Sequence, residues 1–495
     1  MWAPCYLAGR RVLKEACGVF GVWAPGEPVS HLTFDGIFAL QHRGQESAGM
    51  AISDENSITV LKDTGLVASV FDERSLQGLT GTHAIGHTRY STAGSAGWES
   101  AQPVYRSVGE AGFALAHNGN LTNTEALVER AGMLPGMVLT DSDVLAELIA
   151  STWKASEENG LHQALCDTLP FVEGAFSLTL IDRGHIYAVR DPHGFRPLCL
   201  GVLGDPEHPR GWAVASETPA LDIIGATFVR EIEPGEIVTI NADGVRSEHY
   251  VPSGVAEEKL CIFEYVYFAR PDSYLHGREV HGARQRMGQL LAQQSPVEAD
   301  LVMGVPDSGV PAAEGFALAS GIPFGHGLVK NRYIARTFIA PDQEARERAV
   351  KRKLNPLREN ILGKRIVVVD DSIVRGTTTR ALVKMLREAG AAEVHLRISS
   401  PPFQWPCFYG IDTPHRGELL AATKSIDEIV AFIGCDSLAF ISIENLRDAI
   451  GEAGGFCDAC LTGDYPTSVP LESPTSKQAV QDQDGPQLQR SLPGV

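Results

Sequence analysis

The stretch at residues 366–386, IVVVDDSIVRGTTTRALVKML, constrains the fold of this chain more than any other feature. Its first four residues are β-branched, which predicts a strand buried on both faces of a parallel sheet. Two adjacent carboxylates, Asp370 and Asp371, stand where that strand should end, and a loop of small and hydroxyl residues follows them. A helical pattern then runs to Gly390, a predicted C-cap. This order predicts an anion-binding site, because unpaired N–H groups and the helix dipole point at the ligand.

The same stretch indicates a sugar phosphate as the ligand. Its loop lacks the Gly-Lys-Ser/Thr ending of Walker-type loops, and its acid pair comes before the loop. Carboxylates can accept hydrogen bonds from ribose hydroxyls or hold Mg²⁺, while the loop binds a 5′-phosphate. The alternative is an ordinary βα turn that carries acidic residues.

The motif resembles that of the phosphoribosyltransferases, and the resemblance implies phosphoribosyl pyrophosphate as a substrate. It also implies a type I phosphoribosyltransferase domain of α/β class with a parallel sheet, at residues 261–465. The residues it assigns to the substrate here are Asp370, Asp371, Ser372, Arg375, Gly376, Thr377 and Thr378, and the two aspartates are also assigned to Mg²⁺.

Length and composition limit the other possibilities. A chain of 495 residues is too long for one ordinary domain, so two are expected. The net charge of −19 argues against nucleic-acid binding, and no apolar run reaches the length of a membrane span. Nine cysteines without regular paired spacing do not predict a disulfide framework, so a reducing cytoplasm fits best.

The N-terminal half contains four polar motifs between apolar runs. They lie at residues 17–22, 40–49, 86–94 and 116–121, and a predicted helix follows with Asp141 or Ser142 as its N-cap. A cysteine at the start of the first motif is, by itself, more often a small buried hydrophobe. Together the motifs resemble the N-terminal-nucleophile (class II) glutamine amidotransferases, from residue 17 to about 240. The resemblance implies an α+β domain at 17–250, a four-layer αββα sandwich.

This resemblance assigns roles to individual residues. Cys17 would be the nucleophile and must then be the first residue of the mature protein, so residues 1–16 are predicted to be a propeptide. A free α-amino group titrates near pH ~8 and can take the thiol proton, whereas an amide nitrogen cannot. Asn118 and the Gly119 N–H would form the oxyanion hole. Arg89 would bind the α-carboxylate of glutamine and Asp143 its α-ammonium, the alternative being a surface ion pair.

A second strand–loop–helix pattern precedes the first along the chain. Its strand at residues 301–305 leads into Pro306-Asp307-Ser308-Gly309, the predicted pyrophosphate and metal site, where Ser308 would reach Mg²⁺. Residues 330–353 then carry eight Lys/Arg and three acids, a local net charge of +5. This predicts a mobile lid that folds over a polyanionic substrate, the alternative being a solvated basic face.

Lys330 and Tyr333 of this segment lie in a stretch that closely resembles the flexible loop of the glutamine phosphoribosylpyrophosphate amidotransferases. That family joins both halves, and the resemblance covers residues 17–465. It assigns Lys330 and Tyr333 to the substrate. It also implies a homotetramer inhibited by purine nucleotides and one Mg²⁺ per subunit.

The cysteines divide into two groups. Cys457 and Cys460 form a C-x-x-C, an ambiguous metal or redox signal, and spacing alone does not join it to Cys261 or Cys407. The resemblance does join them, because one branch of the family, which also bears a propeptide, holds a 4Fe–4S cluster on four such cysteines. Structural zinc is the alternative. The remaining cysteines are predicted to be inert or buried, namely Cys5, Cys166, Cys199 and Cys435.

The resemblance implies an enzyme with two linked half-reactions. Glutamine is hydrolysed to glutamate, and the ammonia passes to phosphoribosyl pyrophosphate, giving 5-phosphoribosylamine and pyrophosphate in the first committed step of purine (IMP) biosynthesis. One rival is a glutamine:fructose-6-phosphate amidotransferase, whose isomerase half has no Asp-Asp-Ser-Ile-Val-Arg-Gly-Thr-Thr loop. The other is a phosphoribosyl-pyrophosphate-sensing regulator without catalysis. Residues 466–495 are rich in Ser, Pro, Gln and Asp and are predicted to be disordered.

Overall fold

The fold is taken from a computed structural model. It describes residues 17–90, 97–133, 140–155, 160–252, 254, 257–331, 351–411, 415–451 and 455–469. The predicted propeptide, Tyr333, most of the predicted lid and residues 470–495 of the predicted tail lie outside these ranges. Within them, every helix is too short or too polar to cross a lipid bilayer.

The N-terminal half contains a seven-stranded antiparallel sheet. Its strands, in spatial order, are Ala226–Glu231, Cys199–Asp205, His208–Ala215, Gly18–Trp23, His83–Arg89, Ser47–Ser53 and Ile58–Thr64. Helix Val29–Ala39 packs on one face, where Ile37 and Phe20 belong to the same buried core. Strand Gly18–Trp23 lies in the interior of this sheet, which buries the residue just before it.

A six-stranded antiparallel sheet lies against the first. Its spatial order is Gly244–His249, Glu236–Asn241, Ile186–Arg190, Gly174–Ile181, Ala111–Leu121 and Val104–Val108. Apolar residues of both sheets, such as Val19 and Ala116, form one core between them. Helices Thr124–Arg130, Asp141–Ala155 and Gly160–Thr168 cover the outer face. The predicted four-layer αββα sandwich is confirmed.

The helix beginning at Asp141 corrects one expectation. Asp141 and Ser142 were predicted as alternative N-caps, but both lie inside Asp141–Ala155. The hydroxyl of Thr140 instead accepts a hydrogen bond from the Asp143 N–H at 3.2 Å. Thr140 therefore caps this helix, because the cap must precede the first helical residue.

The C-terminal half is built on four parallel strands, in the order Leu301–Gly304, Arg365–Asp370, Glu393–Ile398 and Ser437–Phe440. Helices Val280–Gln294 and Val310–Ser320 pack on one face, and Thr377–Glu388 and Ile426–Ile433 on the other. Residues 366–369 have no exposed surface, which confirms the predicted strand buried on both faces. Gly390, with φ +99°, follows the C-cap Ala389 by one residue.

Short elements complete the described fold. Two-stranded pairs join Leu260–Cys261 to Phe456–Cys457, Tyr274–Leu275 to Arg278–Glu279, and Leu328–Lys330 to Leu354–Pro356. Short α-helices lie at Val67–Val70, Glu73–Gly78, Pro219–Asp222, Arg358–Ile361, Leu420–Thr423, Ile443–Ile450 and Ala459–Thr462. Single turns of 3₁₀-helix lie at Trp98–Ser100, Leu169–Phe171 and Arg416–Glu418, and a π-helix lies at Glu264–Phe268.

Candidate active sites

The predicted glutamine site lies where the two N-terminal sheets face each other. Cys17 is fully buried and immediately precedes strand Gly18–Trp23, and Gly18 pairs with Thr88, the neighbour of Arg89. His87 Nε2 lies 3.1 Å from the backbone oxygen of His117 in the opposite sheet. The motifs at 17–22, 86–94 and 116–121, distant in sequence, therefore meet at one place.

Asn118 and Gly119 have the features of an oxyanion hole. Asn118 has no exposed surface, and neither atom of its side-chain amide has a hydrogen-bond partner among the described residues. A buried amide left in this state costs about 1–3 kcal/mol, so a ligand is expected to satisfy it. Gly119 adopts φ +153°, and a Cβ there would lie 2.0 Å from the Ala175 carbonyl oxygen. Only glycine fits this position, because its neighbour is rigid backbone.

A buried hydrogen-bond network supports the strand that carries Asn118. The His117 N–H donates to Gln102 Oε1 at 2.7 Å, and His117 Nδ1 lies 3.1 Å from Ser142 Oγ. Gln102 Nε2 donates to the same Ser142 hydroxyl at 3.1 Å. Sequence analysis missed Gln102, since a glutamine far from the motif gives no local signal of this contact.

The two residues predicted to bind the glutamine backbone lie in different surroundings. Arg89 is buried at the end of strand His83–Arg89, which argues against the alternative of a surface ion pair. Asp143 accepts hydrogen bonds from the Thr140 N–H at 3.1 Å and from Arg106 Nη2 at 3.3 Å. Burial lowers the pKa of Lys62, while Asp143 opposes this shift and Arg89 adds to it. Lys62 therefore lies within electrostatic reach of both residues.

The predicted phosphoribosyl site combines the two loops that follow the neighbouring strands Leu301–Gly304 and Arg365–Asp370. The Val305 N–H donates to the Val369 carbonyl at 2.9 Å, which aligns the loop starts. Ser308 Oγ donates to Asp371 Oδ2 at 2.5 Å, so the predicted metal-site serine contacts the predicted acid pair. Burial raises the pKa of Asp370, and the neighbouring Asp371 raises it further. A bound cation would offset the repulsion between the two carboxylates and stabilise their charged forms.

The loop after the acid pair leads directly into a helix. Ser372 Oγ donates to Asp371 Oδ1 at 2.6 Å. Gly376 has φ +71° and is the N-cap of helix Thr377–Glu388, whose first residues present backbone N–H groups without helical partners. Arg375 Nε donates to Glu418 Oε2 at 3.4 Å. The predicted phosphate loop therefore ends at a helix N-terminus.

Lys330 lies at the end of strand Leu328–Lys330, and its ammonium contacts the carboxylate of Asp307. The first residue of the predicted lid thus already reaches the loop at 306–309. Tyr333 lies outside the described residues.

The four cysteines assigned to the cluster converge. Cys261 and Cys457 are opposite each other in the parallel pair, and Cys460 lies on the following helix, Ala459–Thr462. Burial raises the pKa of Cys460, and the charges of Cys407, Cys261 and Cys457 raise it further. All four are buried. Residues separated by as much as 199 positions therefore share one site at the contact between the chain's end and the domain boundary.

A buried ionic network, which sequence analysis missed, joins the two halves. Arg43 contacts the carboxylate of Glu217 and donates from Nη2 to Glu264 Oε2 at 2.6 Å. Arg196 donates from Nη1 to Glu264 Oε1 at 3.1 Å and from Nη2 to the Tyr409 carbonyl at 3.0 Å. The two arginine cations face two glutamate anions, so the charges of these four side chains cancel. Burial would raise the pKa of Glu217, but Arg43 and His42 outweigh that effect and lower it.

Comparison with known proteins defines the class. A family model described as a glutamine amidotransferase domain matches residues 87–222, and one described as a phosphoribosyl transferase domain matches residues 274–399. The chain therefore couples a glutamine amidotransferase to a phosphoribosyltransferase.

Full-length relatives define the family. The amidophosphoribosyltransferase of Mycobacterium tuberculosis strain H37Rv is 53% identical over 482 residues, covering 94% of this chain and 89% of that protein. The enzyme of the same name from Bacillus subtilis strain 168 is 46% identical, covering 96% and 99%. A solved glutamine phosphoribosylpyrophosphate amidotransferase from B. subtilis, complexed with ADP and GMP, superposes with a TM-score of 0.83 at 45% identity, covering 92% and 99%. The chain belongs to the amidophosphoribosyltransferase family.

Family membership confirms the predicted fold class and overall activity. The protein is a pentosyltransferase with a glutamine amidotransferase domain, and its reaction is the first step of purine biosynthesis. The fructose-6-phosphate rival is wrong, because the second half matches a phosphoribosyltransferase.

Proposed function

We propose that Cys17 is the nucleophile of glutamine hydrolysis after cleavage between Ala16 and Cys17. Its freed α-amino group accepts the thiol proton, and the thiolate attacks the carboxamide carbon of glutamine. Ammonia leaves with a proton returned by that amine, and water hydrolyses the thioester to glutamate. The burial of Cys17 at the start of an interior strand supports this role, because bulk water is kept from the site.

The observation that carries this proposal is the buried side-chain amide of Asn118 beside Gly119, which has no hydrogen-bond partner within the part of the chain that the structure describes. Asn118 Nδ2 and the Gly119 N–H would donate to the oxygen that becomes negative as the thiolate attacks. Arg89 would bind the α-carboxylate of glutamine. Asp143 would exchange part of its contact with Arg106 for the α-ammonium.

The test is the identity of the first residue in active protein. N-terminal sequencing of protein that hydrolyses glutamine should find Cys17 first, because an acylated nitrogen cannot act as the base. Glutaminase activity in protein that still begins at Met1 would contradict the proposal.

In the second half, the loop at 372–378 would bind the 5′-phosphate of phosphoribosyl pyrophosphate. Asp370 and Asp371 would accept from the ribose hydroxyls. Their close carboxylates, with the Ser308 hydroxyl, also fit Mg²⁺, which prefers oxygen ligands. A bound Mg²⁺ would supply positive charge for the departing pyrophosphate, and Lys330 and Tyr333 would bind the substrate. Ammonia then displaces pyrophosphate at C1 of the ribose.

Ammonia would pass between the sites without entering bulk solvent. The buried contacts of Arg43 and Arg196 with Glu264 support this path, because they hold the two halves together with water excluded between them. Free exchange with solvent would release ammonia, which at neutral pH becomes ammonium and loses its nucleophilic electron pair.

Cys261, Cys407, Cys457 and Cys460 would hold one 4Fe–4S cluster per subunit. Within the described ranges, no three of these sulfurs lie within 4.8 Å of one another. A single tetrahedral zinc with bonds of about 2.3 Å needs sulfurs roughly 3.8 Å apart, so the wider spacing supports a cluster. Its expected role is to tie the chain's end to the domain boundary. Protein purified without oxygen should contain iron and acid-labile sulfide; zinc without iron would contradict this.

Control by purine nucleotides is inferred from a relative, and assembly from the family resemblance. The B. subtilis enzyme was solved with ADP and GMP, and we extend control by purine nucleotides to this chain. A homotetramer and a cytoplasmic location complete the proposal, the latter supported by the free thiols of the cysteines in the described ranges, which are usual in a reducing compartment.

A further inference from the structure

We propose that His162, Cys166 and Glu248 form a zinc site on the N-terminal half, independent of both active sites. His162 and Cys166 lie one turn apart on helix Gly160–Thr168, so their side chains share one face. Glu248 lies on Gly244–His249, an edge strand of the six-stranded sheet. Three strands separate it from Ala111–Leu121, which carries Asn118.

The three ligand atoms already converge. One nitrogen of His162, the sulfur of Cys166 and one carboxylate oxygen of Glu248 all lie within 4.8 Å of one another. Cys166 Sγ is 3.6 Å from Glu248 Oε1, and His162 Nε2 contacts the same oxygen. A tetrahedral ion with bonds of about 2.0–2.3 Å separates its ligand atoms by roughly 3.3–3.8 Å. A small outward movement of the imidazole would therefore admit the ion.

The surroundings favour binding at that point. Arg246 Nη2 lies 3.4 Å from Glu248 Oε2, which leaves the other oxygen for the ion. Cys166 packs against the buried core beneath the helix, so this ligand is anchored. The side chains of His162 and Glu248 are 32% and 30% exposed, which gives an ion access and leaves room for water as a fourth ligand.

The donor types select the ion. A thiolate disfavours Mg²⁺ and Ca²⁺, which prefer oxygen, whereas one nitrogen, one sulfur and one oxygen donor suit zinc. The negative charges of a thiolate and a carboxylate balance a divalent cation. A bound ion would link the helix to the edge strand, a position where the sheet has no further neighbour. Cys166, predicted from the sequence to be inert or buried, would then be a ligand.

Zinc titration of the full chain, prepared without oxygen and stripped of loosely bound metal, tests the proposal. Wild-type protein should bind one zinc equivalent more than Cys166→Ser and His162→Gln, or bind it at least tenfold more tightly. Cys435→Ser, which changes a largely buried cysteine of the other half, is the matched control and should behave as wild type. Zinc bound elsewhere is common to all four proteins and cancels in the comparison.

Cobalt(II) gives a second measurement. In wild-type protein it should produce an intense near-ultraviolet sulfur-to-metal absorption band that disappears in Cys166→Ser and persists in Cys435→Ser. Equal zinc stoichiometry and affinity in wild type and both ligand variants would overturn the proposal. So would loss of the site in only one of the two variants, because a three-ligand site needs both residues.

Discussion

The two candidate active sites of this chain lie at different parts of their sheets. The glutamine site is inside the sandwich, where Cys17, Arg89 and Asn118 have at most 1% of their surface exposed. The phosphoribosyl site lies on loops at the carboxyl ends of parallel strands, and its Asp307 side chain is 76% exposed. An open edge suits a large polyanion that backbone N–H groups and cations bind. A closed interior suits covalent chemistry on a small amide, where fixed donors act without competing water.

Removing the proposed nucleophile should have the largest effect and best separate the two candidate sites. Cys17→Ala leaves every phosphate-loop residue in place, so synthesis from glutamine should fall by at least roughly 10⁴-fold, as for other lost nucleophiles. Synthesis from concentrated ammonium salt at raised pH should persist. Initial rates of pyrophosphate release, recorded once with glutamine and once with ammonium salt, measure the two activities.

Cys199→Ala is the matched control, because Cys199 is also buried in the same half but belongs to no proposed site. It should keep glutamine-dependent synthesis. Equal loss of both activities in a folded Cys17→Ala protein would break the comparison between two separate sites.

The network that joins the halves should have the next largest effect, on stability. Arg43→Met leaves the buried carboxylates of Glu217 and Glu264 without their shared cation, which should cost about 3–5 kcal/mol. Thermal unfolding should show a clear drop in midpoint. Arg246→Met, which removes a pair whose arginine is 78% exposed, should change it little. An unchanged midpoint in Arg43→Met would mean that the halves are held by other contacts.

Damage to the sugar site should affect both nitrogen sources alike. Asp371→Asn removes a charge that receives hydrogen bonds from Ser308 and Ser372. The substitution should cost about 2–4 kcal/mol of transition-state stabilisation, which lowers the rate roughly 30- to 1,000-fold. Initial-rate measurements with glutamine and with ammonia should show the same factor. A loss confined to glutamine would contradict the assignment of this residue to the sugar site.

The smallest expected effect concerns acid stability of the buried glutamine site. Burial lowers the pKa of His87 to about 3, and the nearby Arg89, His117 and Lys62 add to this, against its hydrogen bond to the His117 carbonyl. The unfolded chain takes up this proton below about 6.5, but the folded chain does so only near 3. Stability is therefore lost as pH falls through that window, by roughly 2 kcal/mol between pH 7 and pH 5.

His87→Gln removes this titration, so its thermal midpoint should fall less than that of wild type between pH 7 and pH 5. His31→Gln, a substitution on an exposed part of the surface, should retain the wild-type slope. Parallel pH profiles for wild type and His87→Gln would show that His87 is not the group responsible.

The sequence alone predicted those elements whose pattern lies within a short stretch of neighbouring residues. The β-branched run at 366–369 predicted the strand, and the helical spacing after the loop predicted the helix. Both patterns are properties of neighbouring residues. The cap of Asp141–Ala155 is Thr140, one residue before the first of the two predicted caps, because several adjacent polar residues can each cap a helix. The predicted roles of Cys17, Asn118 and Arg89 came from resemblance, and the structure adds that all three are buried on segments that lie next to one another.

Only tertiary structure decided which distant residues meet. Ser308 reaches Asp371 because their strands are parallel neighbours, and Arg43 reaches Glu264 across 221 positions. Cys166 and His162 are neighbours on one helix, but only the packing of that helix on the edge strand brings Glu248 to them. Sequence spacing reports the period of a local element, whereas strand order and the packing of the two halves depend on long-range burial that no short window contains.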